Sequence, residues 1–351
     1  MRLVARRALA LIAVTAAIGA TRAAAQAPTV SVSGVGYLQY AYQLKDTANH
    51  VNSFDVTRAY LNVIGKFSSG IGTRITSDVY RATDNSLLYR LKYAYVSYAP
   101  EHSALSYRFG LTQTPMLDWE EGMWDYRMQG TMPMERAGYI TSSDYGIAVD
   151  GTWGTDGAVN MQAGIYNGEG YHGATGDQRK DVEARVSVRL MPTDEGGTRG
   201  GLRATGFVQY GKPTGGGQRE RYVGMLSYKA KQYLLALEYG STTDSSTTAA
   251  TAKVSGSVLS VYGFAKIPDT KFGVIGRVDI IDPNTNLADN PNNVGAAAAN
   301  KQTRIIVGGS YQLSPNVRLL LDLDNNTYSG GTPPNADLTR STVYFHTQLT
   351  F

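Results

Sequence analysis

The chain contains no cysteine, which excludes a disulfide framework, a thiolate metal site and a cysteine nucleophile. Histidine is scarce: His50, His102, His172 and His346 are scattered, and no two have metal-ligand spacing. No serine stands in a Gly-x-Ser-x-Gly elbow, so the commonest hydrolase signature is missing. The catalytic alternative that survives is a barrel enzyme assembling Ser and His on its outer wall. Neither a cofactor nor a metal is expected. Beyond the first residues, no run approaches the about 18 apolar residues of a spanning helix.

A net charge is also missing once the N-terminus is set apart. Arg2, Arg6 and Arg7 make a basic start, Ala8 to Ala20 an apolar stretch, and Ala23-Ala24-Ala25 a small-residue cleavage site. That layout predicts a secretory signal peptide over residues 1–25 and one mature domain over 26–351. The chain has 33 Lys+Arg and 29 Asp+Glu, and the signal removes Arg2, Arg6, Arg7 and Arg22 but no acid, leaving 29 against 29. Nothing here points to nucleic acid.

What is present is alternation. Val32, Gly34, Gly36, Leu38, Tyr40 and Tyr42 share one face, and Ser31, Ser33, Gln39 and Gln43 the other. Period-two patterning of this kind is a strand with one apolar and one polar side. It recurs along the chain: Val182, Ala184, Val186, Val188 and Leu190 oppose Glu183, Arg185, Ser187 and Arg189. A secreted or periplasmic soluble sandwich would give the same alternation, so the connections have to discriminate. Short ones read Ser68-Ser69-Gly70, Pro100-Glu101-His102, Gly154-Thr155-Asp156-Gly157, Pro268-Asp269-Thr270 and Ser314-Pro315-Asn316, all turn chemistry. Long ones cover roughly 45–53, 113–143, 168–180, 240–253, 283–301 and 329–338. Short turns on one rim and long loops on the other are the outer-membrane barrel layout.

The resulting expectation is an all-β fold: a sixteen-stranded antiparallel transmembrane β-barrel with a long third loop folded into the lumen. Strands should start near residues 30, 54, 71, 87, 104, 144, 158, 181, 201, 220, 233, 254, 272, 302, 317 and 339. In the last one Val343, Phe345, Thr347, Leu349 and Phe351 share a face, and the sequence ends on Phe351. A terminal aromatic on an alternating strand resembles the signal read by the barrel-assembly machinery of Gram-negative outer membranes. The alternative is an ordinary edge strand.

Two nucleotide-type patterns are discarded. Gly168-x-Gly170-x-x-Gly173 lacks the helix that would aim at a pyrophosphate. Gly206 to Lys212 has Pro213 where a phosphate loop needs Ser or Thr, and Phe207 to Tyr210 read as strand.

Function is expected in the connection from Gln113 to Ser143, which carries Trp119, Trp124, Tyr126, Met128, Met132 and Met134. Loops this long are functional or disordered, and this much aromatic and sulfur surface calls for packing. A sixteen-stranded lumen is too wide for strand side chains to fill, so an inserted loop would set its size cutoff. An outer cap or a subunit contact is the alternative placement.

At this point a resemblance enters. Tyr107-Arg108-Phe109-Gly110-Leu111-Thr112-Gln113-Thr114-Pro115-Met116 resembles the strand-to-loop motif of the phosphate-selective porin O and P family. Met134-Glu135-Arg136 followed by Asp144-Tyr145-Gly146-Ile147 is similar to a second stretch of that family, as are Asn167-Gly168, Arg277-Val278-Asp279 and Asp282-Pro283-Asn284. The resemblance implies homotrimeric sixteen-stranded channels whose third loop lies inside, with anion selectivity from basic pore residues. Two departures are plain. The motif's lysine is Gln113 or Thr114 here, and the connection is acidic, with Asp118, Glu120, Glu121, Asp125 and Glu135 against Arg127 and Arg136.

The strand registers place Arg58, Lys66, Arg74, Arg90, Lys92, Arg108, Arg185, Arg189, Arg203, Arg221, Lys229, Lys266, Arg277, Arg304, Arg318 and Arg340 on the inner face. The inner acids are Asp78, Asp144, Asp150, Glu183, Glu238, Asp279, Asp322 and Asp324. A basic wall selects anions by charge. Facing the acidic connection, it would set up a transverse field. Constriction candidates are Arg58, Arg74, Arg90, Lys92, Arg108, Asp118, Glu120, Glu121, Asp125, Arg127 and Arg136. The reading is therefore a passive porin for small hydrophilic solutes in outer-membrane lipid, anion-preferring and open to phosphate-like anions. A general or cation-leaning porin, a barrel enzyme and a structural barrel are the alternatives.

Overall fold

The computed structural model describes residues 27–44, 50–173, 178–212, 217–245, 253–285, 301–329 and 339–351. The expected signal peptide lies outside the described residues, as do parts of the long connections near 45–53, 168–180, 240–253, 283–301 and 329–338.

The first strands are β1 (Thr29–Gln43), β2 (Asn52–Lys66), β3 (Ile71–Arg81), β4 (Leu87–Tyr98), β5 (Leu105–Gln113) and β6 (Ser143–Trp153). They are followed by β7 (Val159–Tyr166), β8 (Asp181–Met191), β9 (Gly201–Gly211), β10 (Gln218–Lys229) and β11 (Tyr233–Ser245). The last are β12 (Lys253–Lys266), β13 (Phe272–Asp282), β14 (Lys301–Ser314), β15 (Val317–Ser329) and β16 (Thr339–Thr350). Each pairs antiparallel with its sequence neighbours, and β1 pairs with β16 to close the barrel. All sixteen strands begin within two residues of the positions that alternation predicts. At the seam the Gly34 N–H donates to the Phe351 carbonyl at 2.9 Å and the Phe351 N–H to the Gly34 carbonyl at 3.1 Å. Closure leaves no strand at a sheet edge, although β2 pairs with β3 only over Leu61–Lys66 and β4 with β5 only over Ala94–Tyr98.

The rule of short turns and long loops has exceptions. On the long rim β3 and β4 are joined only by 82–86, and β9 and β10 by 212–217; on the short rim, β8 and β9 are joined by 192–200. The long connection expected from 240 starts later, because β11 continues to Ser245.

Alternation decides the faces. On β9, Arg203, Thr205, Phe207 and Gln209 are buried, while Ala204, Val208 and Tyr210 are exposed. The exposed face is apolar almost everywhere: Tyr89 is 75%, Phe109 68% and Leu235 60% exposed. A continuous apolar belt of this size belongs against lipid or another protein, not water.

Register shifts break the period at four places, between Tyr37 and Leu38, Thr76 and Ser77, Arg189 and Met191, and Gln312 and Ser314. Bulges re-aim side chains. The one on β4 leaves Lys92 unpaired between Leu91 and Tyr93, and both Lys92 and Tyr93 are buried. Strict period two would send one of them outward.

The core is not a strand-on-strand layer. It forms where the connection 114–142 meets the buried face of β9 to β15. Phe207, Val223, Met225, Leu234, Phe264, Ile275, Ile306 and Leu320 come from the strands, and Met116, Leu117, Trp119, Met123, Trp124, Met128, Met132 and Met134 from the connection.

Candidate functional site

Between β5 and β6 the chain forms α1 (Pro115–Glu121), a 3-10 turn at 127–129 and α2 (Pro133–Arg136). Proline stands in the first turn of both helices, where its missing N–H costs nothing and its fixed φ suits the helix. Gly130 ends the 3-10 turn at φ 145°, a conformation that side-chain-bearing residues rarely adopt. A Cβ there would stand 2.1 Å from the Arg136 guanidinium.

Charged and aromatic contacts hold this segment to strands well separated around the barrel. Trp119 lies under the Arg185 guanidinium of β8 at 4.3 Å. The rings of Trp124 and Tyr262 meet edge-on at 5.5 Å, and the Tyr126 and Ser310 hydroxyls are 2.8 Å apart. Asp125 pairs with Lys266 at 2.5 Å and Lys229 at 3.8 Å, and Arg318 donates to its carbonyl at 2.7 Å. Asp118 pairs with Arg199 at 3.2 Å. On the return path Arg277 donates to the Thr131 carbonyl at 2.8 Å and Arg221 to that of Tyr139 at 3.1 Å.

Across from this packed region, β2 to β5 carry a basic and tyrosine-rich inner face. Arg58 hydrogen-bonds the Tyr60 hydroxyl and lies 3.8 Å from Asp78. Arg74 donates to Asn62 at 2.9 Å and Thr76 at 3.0 Å, and stacks over Tyr93 at 4.5 Å. Arg90 donates to the Tyr171 hydroxyl at 2.9 Å and is 3.9 Å from Asp78. Lys92 bonds the Ser142 hydroxyl, with its ammonium 4.0 Å from the Tyr171 ring centre. Arg108 holds Asp150 in a two-pronged pair at 2.6 and 2.8 Å. From the segment between β5 and β6, Arg127 reaches Glu121 at 2.5 Å and Glu135 at 3.4 Å. Ser142 then donates to Glu135 at 2.9 Å, which links Lys92 to the Arg127 group through one hydroxyl. Arg58, Arg90, Lys92, Arg127, Glu121 and Glu135 thus converge, with Arg74 beside them.

Several expected site residues lie elsewhere. Glu120 is fully buried, with its Oε1 accepting from the Tyr262 hydroxyl at 3.2 Å; it belongs to the packed contact between α1 and the wall. Burial, and then the neighbouring Glu238, push its carboxyl well above the usual carboxylate range. Arg136 is buried beside Asp279 at 3.8 Å. Asp118 and Asp125 tie the segment down at its far end. Phe351 sits at the seam, 73% exposed.

Many of the inner-face arginines are also held in ion pairs. Arg277 pairs with Asp279, Arg304 with Asp324, Arg108 with Asp150 and Arg221 with Asp244. Arg219 and Asp181, absent from the registers read above, form a further pair at 3.0 Å. Sequence reasoning also missed Tyr171, which covers Arg90 and Lys92 from the connection after β7, and Arg199 on the short rim. Neither carries a pattern that marks it.

No protein-family model matches the chain, and no curated protein matches it. Solved structures do. An anion-selective porin from Comamonas acidovorans has a TM-score of 0.67 at 12% identity, covering 92% of this chain and 100% of that one. The outer membrane channel DcaP of Acinetobacter baumannii gives 0.66 at 14%, covering 92% and 97%. The trimer form of OmpT, an outer membrane protein of Vibrio cholerae, gives 0.63 at 12%, covering 92% and 99%. At these identities the likeness is one of fold: a closed sixteen-stranded barrel of the architecture found in porins.

Proposed function

We propose that this chain is an outer-membrane porin, a water-filled channel for passive diffusion of small hydrophilic solutes with a preference for anions. In this reading residues 114–142 lie inside the barrel and set its constriction, and the mature protein follows export under a signal peptide. The observation that carries the preference is the convergence of Arg58, Arg90, Lys92 and Arg127, with Arg74 alongside, against Asp78, Glu121 and Glu135. Confined cations raise the local anion concentration, and salt screens them over a Debye length of about 8–10 Å. Phosphate-like anions fit that charge. The apolar belt fits outer-membrane lipid, and a homotrimer is the assembly we expect. Phe351 is the proposed assembly signal. The protein is not expected to be an enzyme.

A second reading, a general or cation-leaning porin, draws on Glu121 and Glu135, which sit among the same cations. Reversal potentials in a salt gradient across a planar bilayer separate the two. Anion preference supports the first reading, and cation preference replaces it with the second.

A further inference from the structure

Two carboxyl side chains meet in the packed contact between the β5–β6 segment and the wall. Glu120 comes from α1 and Glu238 from β11, both fully buried, and Tyr262, which hydrogen-bonds Glu120, stands diagonally across the β11–β12 pairing from Glu238 on the same face. Glu120 Oε1 accepts from the Tyr262 hydroxyl on β12 at 3.2 Å. Treated as two carboxylates, the pair leaves Glu120 Oε2 and both Glu238 oxygens without a donor among the described residues. The nearby cation is Arg277 on β13, whose charge is paired with Asp279 at 2.8 Å, although its Nη2 makes no aligned hydrogen bond among the described residues. Arg277 binds Asp279 through two contacts of 2.9 Å and gives another N–H to the Thr131 carbonyl at 2.8 Å. The charged and titratable groups around the pair are therefore Tyr262, Arg277 and Asp279.

Two ionised carboxylates cannot share a dry contact: each costs several kcal/mol to bury, and they repel. One proton removes the repulsion and one of the two buried charges, because a carboxylic acid donates to its carboxylate partner.

We propose that Glu120 and Glu238 share a structural proton that fixes α1, and with it the whole 114–142 segment, to the barrel wall. They are positioning residues, and losing that proton at alkaline pH releases the segment. This rests on the reading that the segment sets the constriction. The sign follows from linkage. A carboxyl held protonated by the fold stabilises the folded state below its unfolded titration range, and the contribution is lost as pH rises through the folded one. Acidification leaves the latch closed.

The test compares wild type with Glu120→Gln, Glu238→Gln and Tyr262→Phe, each from neutral to alkaline pH. Single-channel conductance and thermal unfolding in detergent are read side by side. An amide supplies the donor permanently. Both glutamine variants should therefore keep the neutral-pH conductance and lose the alkaline response, while wild type and Tyr262→Phe open further and melt lower as pH rises. If one glutamine variant fails to fold, the other decides. A flat wild-type response, or one that survives in the glutamine variants or disappears in Tyr262→Phe, overturns the proposal. Absence of conductance at every pH would defeat the porin reading instead, with the melting curves still testing the latch.

Discussion

Arginines on the inner face differ in what their loss leaves behind. Arg74 is held by the neutral groups Asn62 and Thr76, so Arg74→Gln removes a charge and orphans no acid. It should shift the reversal potential toward cations and change stability little. Arg108 is different, because Asp150 depends on it through two short bonds. Arg108→Gln should cost about 1.5–3 kcal/mol, the range for hydrogen bonds to charged groups, and should shift selectivity as well, since a carboxylate is left uncompensated. Chemical denaturation of both variants tests the ranking; equal stability would mean that the Asp150 pair contributes nothing net. The charges themselves were legible in the sequence, their pairing was not. Arg277 and Asp279 are near in sequence and on one face, but Arg108 and Asp150, or Arg221 and Asp244, meet only once register brings β5 to β6 and β10 to β11.

The segment from β5 to β6 is packed through its aromatic and sulfur side chains. Its aromatic and sulfur content signals packing, and Trp124 lies among Tyr126, Tyr262 and Phe264 at 5.4–6.2 Å between rings of this cluster. The partner surface was also in the sequence, as stretches where alternation fails: Ile305-Ile306-Val307 and Leu319-Leu320-Leu321 are apolar on both faces. In a lone strand that pattern is ambiguous; here Ile306 and Leu320 are fully buried on the inner side. Trp124→Ala should destabilise by about 3–5 kcal/mol, as for large aromatic truncations in a core. It should also loosen the segment, visible as lower melting temperature and noisier single-channel current. Removing about 118–134 should raise conductance outright, and an unchanged conductance in a folded variant would move the segment outside the barrel. Helices α1 and α2 were not legible, being single turns or little more, too short for a 3.6-residue period to emerge. Nor were the bulges, where one unpaired residue such as Lys92 re-aims its neighbours.

Closure of the barrel joins the first strand to the last, and the strand count was readable because alternation recurs in all sixteen strands. Phe351 pairs with Gly34 at that seam. Deleting Phe351 should therefore lower the amount of heat-modifiable folded protein in the outer membrane, and equal amounts with and without it would contradict an assembly role. The channel itself is tested most directly by reversal potential. The purified protein is inserted in a planar bilayer under a salt gradient with the dilute side near about 0.1 M, where screening is incomplete. Discrete conductance steps are expected, with a potential of the sign given by anion preference that shrinks as salt is raised. A cation-preferring potential would contradict the role given to Arg58, Arg74, Arg90, Lys92 and Arg127, and a folded protein without conductance would contradict the channel.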